Sequence, residues 1–97
     1  MELEQLRIFA AVAEAKSFSA AARALFVSHS TTSRAVSALE RELGVELLDR
    51  QGRVVRPNPA GEELLKHAEI LLREAEEARA AMTPFKKQEH KGERNTP

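Results

Sequence analysis

The chain has 97 residues, of which 42% are apolar, with 15 cationic side chains balanced by 15 acidic ones and no cysteine. This length allows a single domain, since domains usually hold roughly 50 to 250 residues. The absence of cysteine excludes a disulfide framework and thiolate chemistry, and it favours a reducing, cytoplasmic location. The longest apolar run, 8–13, is too short for a bilayer span of about 20 residues, and the acidic start is unlike a signal peptide, so no membrane partner is expected.

The zero net charge conceals an uneven distribution of charge along the chain. Residues 59–82 carry six acidic and three basic side chains. By contrast, the short stretch 50–56 carries three arginines and no acid. Because the distribution of charge matters more than its total for a nucleic-acid footprint, DNA binding stays open.

Two amphipathic helices are predicted at the start of the chain. Apolar residues recur at helical spacing from Leu3 onward, and the first helix is expected to end near Ala15-Lys16. Ser17 or Ser19 is placed to cap a second, shorter helix that runs to about Leu25.

The segment of about 18–37 is predicted to form two helices joined by a tight turn. Ser28 is placed to cap the third helix, which runs from about His29 to Leu43 and ends at Gly44. Spacings of four, three and four residues define its buried stripe: Thr32, Val36, Leu39 and Leu43. The opposite stripe is short, polar and cationic: His29, Ser30, Ser33, Arg34, Ser37 and Arg41. Such a helix fits a DNA major groove, so the pattern predicts a helix-turn-helix.

A small β-hairpin is predicted after the third helix. The short apolar runs within 45–49 and at 54–55 flank a turn at Gln51-Gly52. Beyond it, Asn58 is a good N-cap and Pro59 suits the first helical position, so a long helix is expected over 59–82.

The long helix carries a heptad stripe with alternating spacings of four and three: Leu64, Ala68, Leu71, Ala75, Ala78 and Met82. This stripe is longer than a small helical head can cover, so it predicts a homodimer through this helix. The alternative is a helix that folds back on its own domain.

These elements predict a mainly α fold with a small β-hairpin. The expected organisation is a head over 1–58, a dimerisation helix over 59–82, and a polar tail over 83–97 that is expected to be disordered.

Twelve landmarks follow one another along residues 2–82: Leu6-Arg7, Phe9, Ser17-Phe18-Ser19, Ala21-Ala22, Leu25, Val27-Ser28, Ser33-Arg34, Leu39-Glu40, Glu42-Leu43-Gly44, Leu47-Leu48, Arg50 and Ala60-Gly61. Together they resemble the N-terminal DNA-binding domain of LysR-type transcriptional regulators. The resemblance implies a winged helix-turn-helix head, a linker helix that dimerises two heads, and binding to two half-sites of a promoter.

The chain departs from the family pattern in three places. His29-Ser30-Thr31 stands where the family commonly has Gln-Pro-Ala, Thr32 replaces an aliphatic residue, and Asn58 replaces a capping Thr. The family normally carries an effector-binding domain after the linker helix, and residues 83–97 are too few and too polar to begin one. No small-molecule effector is therefore expected in this chain, whether it is a short member or part of a longer protein.

The candidate base-reading residues are His29, Ser30, Thr31 and Arg34. The guanidinium of Arg34 can bind guanine O6 and N7 together, or it can contact a phosphate. His29 can bond a base edge or remain a solvent-exposed residue of the capping turn.

The candidate phosphate or wing contacts are Ser28, Ser33, Ser37, Arg41, Arg50, Arg53 and Arg56. Arg53, beside Gly52 at the hairpin tip, suits insertion into a minor groove. Arg50 and Arg56 are expected to meet phosphates or to pair with Asp49, and the alternative for all three is an ordinary solvated arginine.

No catalytic or metal-binding pattern is recognised in the sequence. The three histidines lack metal-ligand spacing and there is no glycine-rich phosphate loop, so no cofactor and no enzymatic activity are expected. The sequence predicts a dimeric, sequence-specific regulator that binds double-stranded DNA at the bacterial nucleoid. The alternative is a winged-helix interaction module that dimerises with full-length relatives and binds DNA weakly or not at all.

Overall fold

The computed structural model describes residues 1–87 and has the predicted mainly α architecture. The elements in chain order are α1 (Leu3–Ala15), α2 (Phe18–Leu25), α3 (His29–Leu43), β1 (Leu48–Asp49), β2 (Arg56–Pro57), α4 (Pro59–Ala81) and a 3-10 helix, η1 (Thr83–Phe85). The predicted polar tail over 83–97 thus begins with a 3-10 turn. The rest of that prediction, over 88–97, lies outside the described residues.

The starts of α2 and α3 and the end of α3 lie where the capping residues placed them. The Ser17 hydroxyl accepts a hydrogen bond from the Ala20 N–H at 3.0 Å, so Ser17 rather than Ser19 caps α2. The Ser28 hydroxyl accepts the Thr31 N–H at 3.0 Å at the start of α3. Gly44 ends α3 in the left-handed conformation with φ of 71°, which glycine adopts without steric cost.

The core lies where α1, α2 and α3 pack together and where the start of α4 crosses α1. Its largest fully buried side chains are Leu6, Ile8, Phe9, Leu39, Leu47, Val12, Val36 and Thr32. The Thr32 hydroxyl donates to the Ser28 carbonyl oxygen at 3.1 Å, so this polar group is satisfied inside the core. Leu43 remains 41% exposed, so the predicted buried stripe of α3 ends at Leu39.

The predicted hairpin is present, but its second strand lies further along the chain than expected. β1 and β2 pair antiparallel, with Leu48 opposite Pro57 and Asp49 opposite Arg56. The 54–55 run predicted as the second strand precedes β2. The reason is a competing bond: the Val55 N–H donates to the Lys16 carbonyl oxygen in the α1–α2 turn at 3.2 Å.

The long helix α4 begins at Asn58 and Pro59 as predicted, and its first turns pack on the head. The remainder extends away from it, which gives the molecule principal extents of 64 × 24 × 20 Å. Within residues 1–87, no helix combines the length and apolar character needed to cross a bilayer.

Gly61 is required by the close approach of α4 to the segment before β1. A Cβ at this position would lie 2.1 Å from the Leu47 carbonyl oxygen, which is a backbone atom that side-chain rotation cannot move. Gly44, by contrast, has a positive φ but open space around it.

We expect Gly61→Ala to lower the free energy of unfolding by about 2 kcal/mol or more, because α4 must move away from Leu47. Gly44→Ala is the matched control and should cost only about 1 kcal/mol, the strain of a left-handed alanine. Urea unfolding followed by circular dichroism measures both changes. Equal losses in the two variants would contradict the role of the close approach.

Candidate DNA interface

The exposed face of α3 carries most of the residues that the sequence singled out. His29, Ser30, Arg34 and Arg41 are exposed, and Thr31, Ser33 and Ser37 are partly exposed. With the exception of Thr31, they fall within an arc of about 140° around the helix, at roughly 100° per residue. Arg34 makes no ion pair with any residue in 1–87, so its guanidinium donors are free to bind a ligand. The face offers hydroxyl groups, an imidazole and two guanidinium groups to a groove.

The hydroxyl groups at the start of α3 are arranged around the helix cap. Besides accepting the Thr31 N–H, the Ser28 hydroxyl donates to Thr31 Oγ1 at 2.9 Å. It also lies 3.1 Å from the Ser30 hydroxyl. Ser28 and Thr31 are therefore held in place by local bonds, whereas the His29 ring projects from the same turn and lies 5.9 Å from the Phe18 ring, centroid to centroid.

Arg50 is paired with a residue other than the one the sequence suggested. Its Nη2 donates to Glu40 Oε1 at 3.1 Å, whereas Asp49 Oδ1 accepts the Gln51 N–H at 3.1 Å. Of the two alternatives predicted for Arg50, pairing with Asp49 is therefore not what the structure has, since Asp49 bonds a backbone N–H of the hairpin turn and Arg50 pairs with Glu40. The other carboxylate oxygen of Glu40 accepts the Leu47 N–H at 2.9 Å, so one side chain joins α3 to the hairpin.

The structure also places Phe18 beside this pair, and the sequence assigned it no role at the interface. The Arg50 guanidinium carbon lies 5.2 Å from the centre of the Phe18 ring, within the range of a cation–π contact. Phe18 and Glu40 both stand among the family landmarks, which is the signal that could have pointed to them.

The hairpin of β1 and β2, with the turn between them, is the wing of this domain, and it carries the remaining wing candidates. Gly52 turns the chain with φ of 78°. Arg53 and Arg56 follow it in the chain and are exposed, and neither forms an ion pair within residues 1–87. The wing therefore carries two cationic side chains that no acidic group in residues 1–87 neutralises.

The residues of the predicted dimer stripe of α4 lie in two different environments, one against the head of the same chain and one on the exposed part of the helix. Ala68 is fully buried in the core of its own chain, so it cannot form part of a surface seam, and Leu64 is partly buried against that core. The remaining members, Leu71, Ala75, Ala78 and Met82, lie on the part that extends from the head, and Leu71 and Met82 are 41% and 55% exposed. Phe85, in the 3-10 helix η1 beyond the end of α4, is 77% exposed.

Two of the six acidic residues of α4, Glu63 and Glu76, form ordinary surface ion pairs. Lys66 Nζ lies 3.0 Å from Glu63 Oε1, and this hydrogen bond, with the charge of Lys66, lowers the pKa of the Glu63 carboxyl below its usual value. Arg79 pairs with Glu76 one helical turn away. Within residues 1–87, no three His, Cys, Asp or Glu side chains come close enough together to hold a metal ion.

Asn58 connects the hairpin to α4. Its Oδ1 accepts the Gly61 N–H at 2.8 Å as the helix cap, and its Nδ2 donates to the Glu46 carbonyl oxygen at 2.9 Å. One side chain thus satisfies an orphan helix donor and fixes the base of the wing.

A three-helix head, with an exposed cationic helix face and a two-stranded hairpin beside it, defines a winged helix-turn-helix DNA-binding domain. Residues 3–62 match the profile of bacterial regulatory helix-turn-helix proteins of the lysR family. The chain therefore belongs to the LysR family and carries its helix-turn-helix domain.

Relatives and solved structures agree with this assignment. The chain is 51% identical over 87 residues to a probable hydrogen peroxide-inducible genes activator of Streptomyces viridosporus. The matched region covers 86% of this chain but only 28% of that protein. The DNA-binding domain of BenM in complex with catB site 1 DNA has a TM-score of 0.84 and 36% identity, over 88% of this chain and 94% of that one. Full-length OxyR of Pseudomonas aeruginosa has a TM-score of 0.85 and 35% identity, over 91% of this chain and 30% of that one.

We expect Asn58→Ala to lower the free energy of unfolding by about 1–3 kcal/mol, because both the cap and the bond to Glu46 are lost. Asn58→Ser keeps an acceptor for the helix cap but no amide donor, so it should recover about half of that loss. Thermal and urea unfolding measure the two variants. A serine variant as unstable as the alanine variant would show that the cap contributes little.

Proposed function

We propose that this chain binds double-stranded DNA sequence-specifically, as a homodimer, in the regulation of bacterial transcription. The observation that carries the proposal is the exposed face of α3, whose Arg34 guanidinium has no protein partner within residues 1–87. A polar and cationic helix of this width enters the major groove. The fold shared with a DNA-bound domain of the same family supports this docking.

In this proposal, His29, Ser30, Thr31 and Arg34 read base edges. The guanidinium of Arg34 offers two parallel donors to guanine O6 and N7. His29 stands on the first turn of α3, where a ring nitrogen can bond a base edge. Since the 29–31 segment departs from the family pattern, the chain is expected to prefer a half-site of its own.

The remaining candidates contact phosphates or the neighbouring minor groove. The hydroxyl and guanidinium groups of Ser28, Ser33, Ser37, Arg41, Arg50 and Arg56 suit phosphate oxygens, and Arg53 suits the minor groove. Contacts of this kind release counterions, so affinity should fall steeply as salt is added.

The dimer in this proposal forms through the extended half of α4. Leu71, Ala75, Ala78 and Met82 give an apolar stripe with coiled-coil spacing, and the alanines allow two helices to approach closely. Dimerisation places two recognition helices on the DNA, which matches an inverted pair of half-sites.

We further propose that the chain is not an enzyme and that it acts in the cytoplasm at the nucleoid. Its α3 face carries groups that suit DNA, and on α4 Glu63 and Glu76 are paired with neighbouring lysine and arginine.

Selection of bound duplexes from a random pool, at stated salt concentration, tests the function directly. The expected result is a set of duplexes that share inverted half-sites. A dimer that enriches no sequence would instead favour the interaction module that pairs with full-length relatives.

We expect Arg34→Ala to lose about 1–3 kcal/mol of discrimination per half-site while helical content and dimer mass are unchanged. Arg73→Ala removes the same charge from an exposed position on α4 and is the control. Affinities for the selected duplex and for an unrelated one, over a range of salt, separate the two roles of Arg34. An equal loss on both duplexes, with the salt slope reduced by about 1, would indicate a phosphate contact instead of base reading.

We expect Ala75→Glu to yield a folded monomer, because a carboxylate on the stripe must be buried without a partner in the dimer. Ala80→Glu places the same charge on the opposite side of α4 and should remain dimeric. Light scattering coupled to size-exclusion chromatography measures both masses. A dimeric Ala75→Glu variant would place the interface elsewhere.

A further inference from the structure

The Arg50 guanidinium is held from two sides by groups on different helices. Glu40 on α3 accepts its Nη2 at 3.1 Å, and the Phe18 ring at the start of α2 lies 5.2 Å from its central carbon. The same Phe18 ring lies 5.9 Å from the ring of His29. These contacts form a continuous connection from the base of the wing to the first turn of α3.

The exposure of the two charged partners shows which of them faces a ligand. The Glu40 side chain is 16% exposed, whereas that of Arg50 is 45% exposed. Glu40 also binds the Leu47 N–H with its second oxygen, so both of its oxygens are occupied by protein donors. The guanidinium has five N–H donors, and Glu40 Oε1 accepts from only one of its nitrogens, Nη2, so other donors of this half-exposed group remain for a ligand.

We propose that Glu40 is a positioning residue for DNA binding, which aims the Arg50 guanidinium at a DNA phosphate and sets the wing relative to α3. The inference rests on the proposed function of the α3 face. Phe18 completes the arrangement by supporting the flat side of the guanidinium beside His29. The sequence predicts only that Arg50 meets a phosphate or pairs with Asp49, and it gives Glu40 no role.

Electrostatics and a positioning role predict opposite changes in DNA affinity when the Glu40 charge is removed. A carboxylate near DNA repels phosphates, so its neutralisation should strengthen binding to any duplex. A positioning role predicts weaker binding, because an unrestrained Arg50 must be ordered when the DNA arrives. The sign of the change therefore distinguishes the two explanations.

Glu40→Gln is the informative substitution, with Glu46→Gln as its matched control. Glutamine keeps a carbonyl oxygen that can accept the Leu47 N–H, but it lacks the charge that holds Arg50. Glu40 and Glu46 both line a cleft between α3 and the hairpin. The Glu46 side chain forms no ion pair in the described part of the chain. Both variants remove one negative charge at a similar place.

The measurement is the Kd of the unaltered chain and of each variant for the selected duplex and for an unrelated duplex, at two salt concentrations. We expect Glu40→Gln to weaken binding of the selected duplex at least about fivefold. Glu46→Gln should bind as tightly as the unaltered chain or more tightly. Thermal unfolding of each variant shows whether the head remains folded.

A double variant separates positioning from a purely structural role. Once Arg50→Gln has removed the guanidinium, Glu40→Gln should weaken DNA binding no further.

Phe18→Leu, which keeps an apolar side chain but no aromatic face, should weaken binding in the presence of Arg50 and not in its absence. Full additivity of Glu40→Gln and Arg50→Gln would overturn the inference, because Glu40 would then act without Arg50.

The outcomes distinguish this inference from the function on which it rests. Tight binding of the selected duplex by both the unaltered chain and Glu40→Gln overturns the positioning role alone. Failure of the unaltered chain to bind any duplex overturns the proposed function and the positioning role together.

Discussion

The backbone of Leu47 is the point at which the recognition helix, the hairpin and the long helix are joined. Its N–H donates to the carboxylate of Glu40 on α3, and its carbonyl oxygen accepts the Asn58 N–H that begins α4. The same carbonyl oxygen would lie only 2.1 Å from a Cβ on residue 61, so this position requires glycine. Since the Leu47 side chain is also buried in the core, both the hydrogen bonds and the packing depend on one position. The geometry of the proposed DNA interface follows from this junction.

The junction leaves two surfaces uncovered, and each suits a different partner. On one side, α3 is buried along Val36 and Leu39, so its short polar face is left for a groove. On the other side, α4 uses Ala68 to pack on its own head, and only the half beyond it is free to pair with a second copy. In the proposed dimer, the buried part of α4 therefore holds each head rigidly on the helix that pairs with the second copy. A rigid attachment is what sets the distance between two half-sites.

The local structure was predictable and the long-range contacts were not. Ser28, Gly44 and Asn58 marked helix ends correctly, because capping depends on residues within three or four positions of one another. The second strand was misplaced by the sequence because the Val55 N–H bonds to Lys16, 39 residues earlier in the chain. A pattern of neighbouring residues cannot reveal a hydrogen-bond acceptor that is so distant in the chain.

The sequence by itself determined the helices, their caps, the cationic face of α3 and the family, since each rests on periodicity or on motifs of a few residues. Only the tertiary structure decided that Ala68 belongs to the core, that Arg50 pairs with Glu40, and that Phe18 lies against that pair. These are contacts between separate elements. A heptad repeat shows that a stripe is apolar but not which surface will cover it, and a cation can pair with any acid that the fold brings within reach.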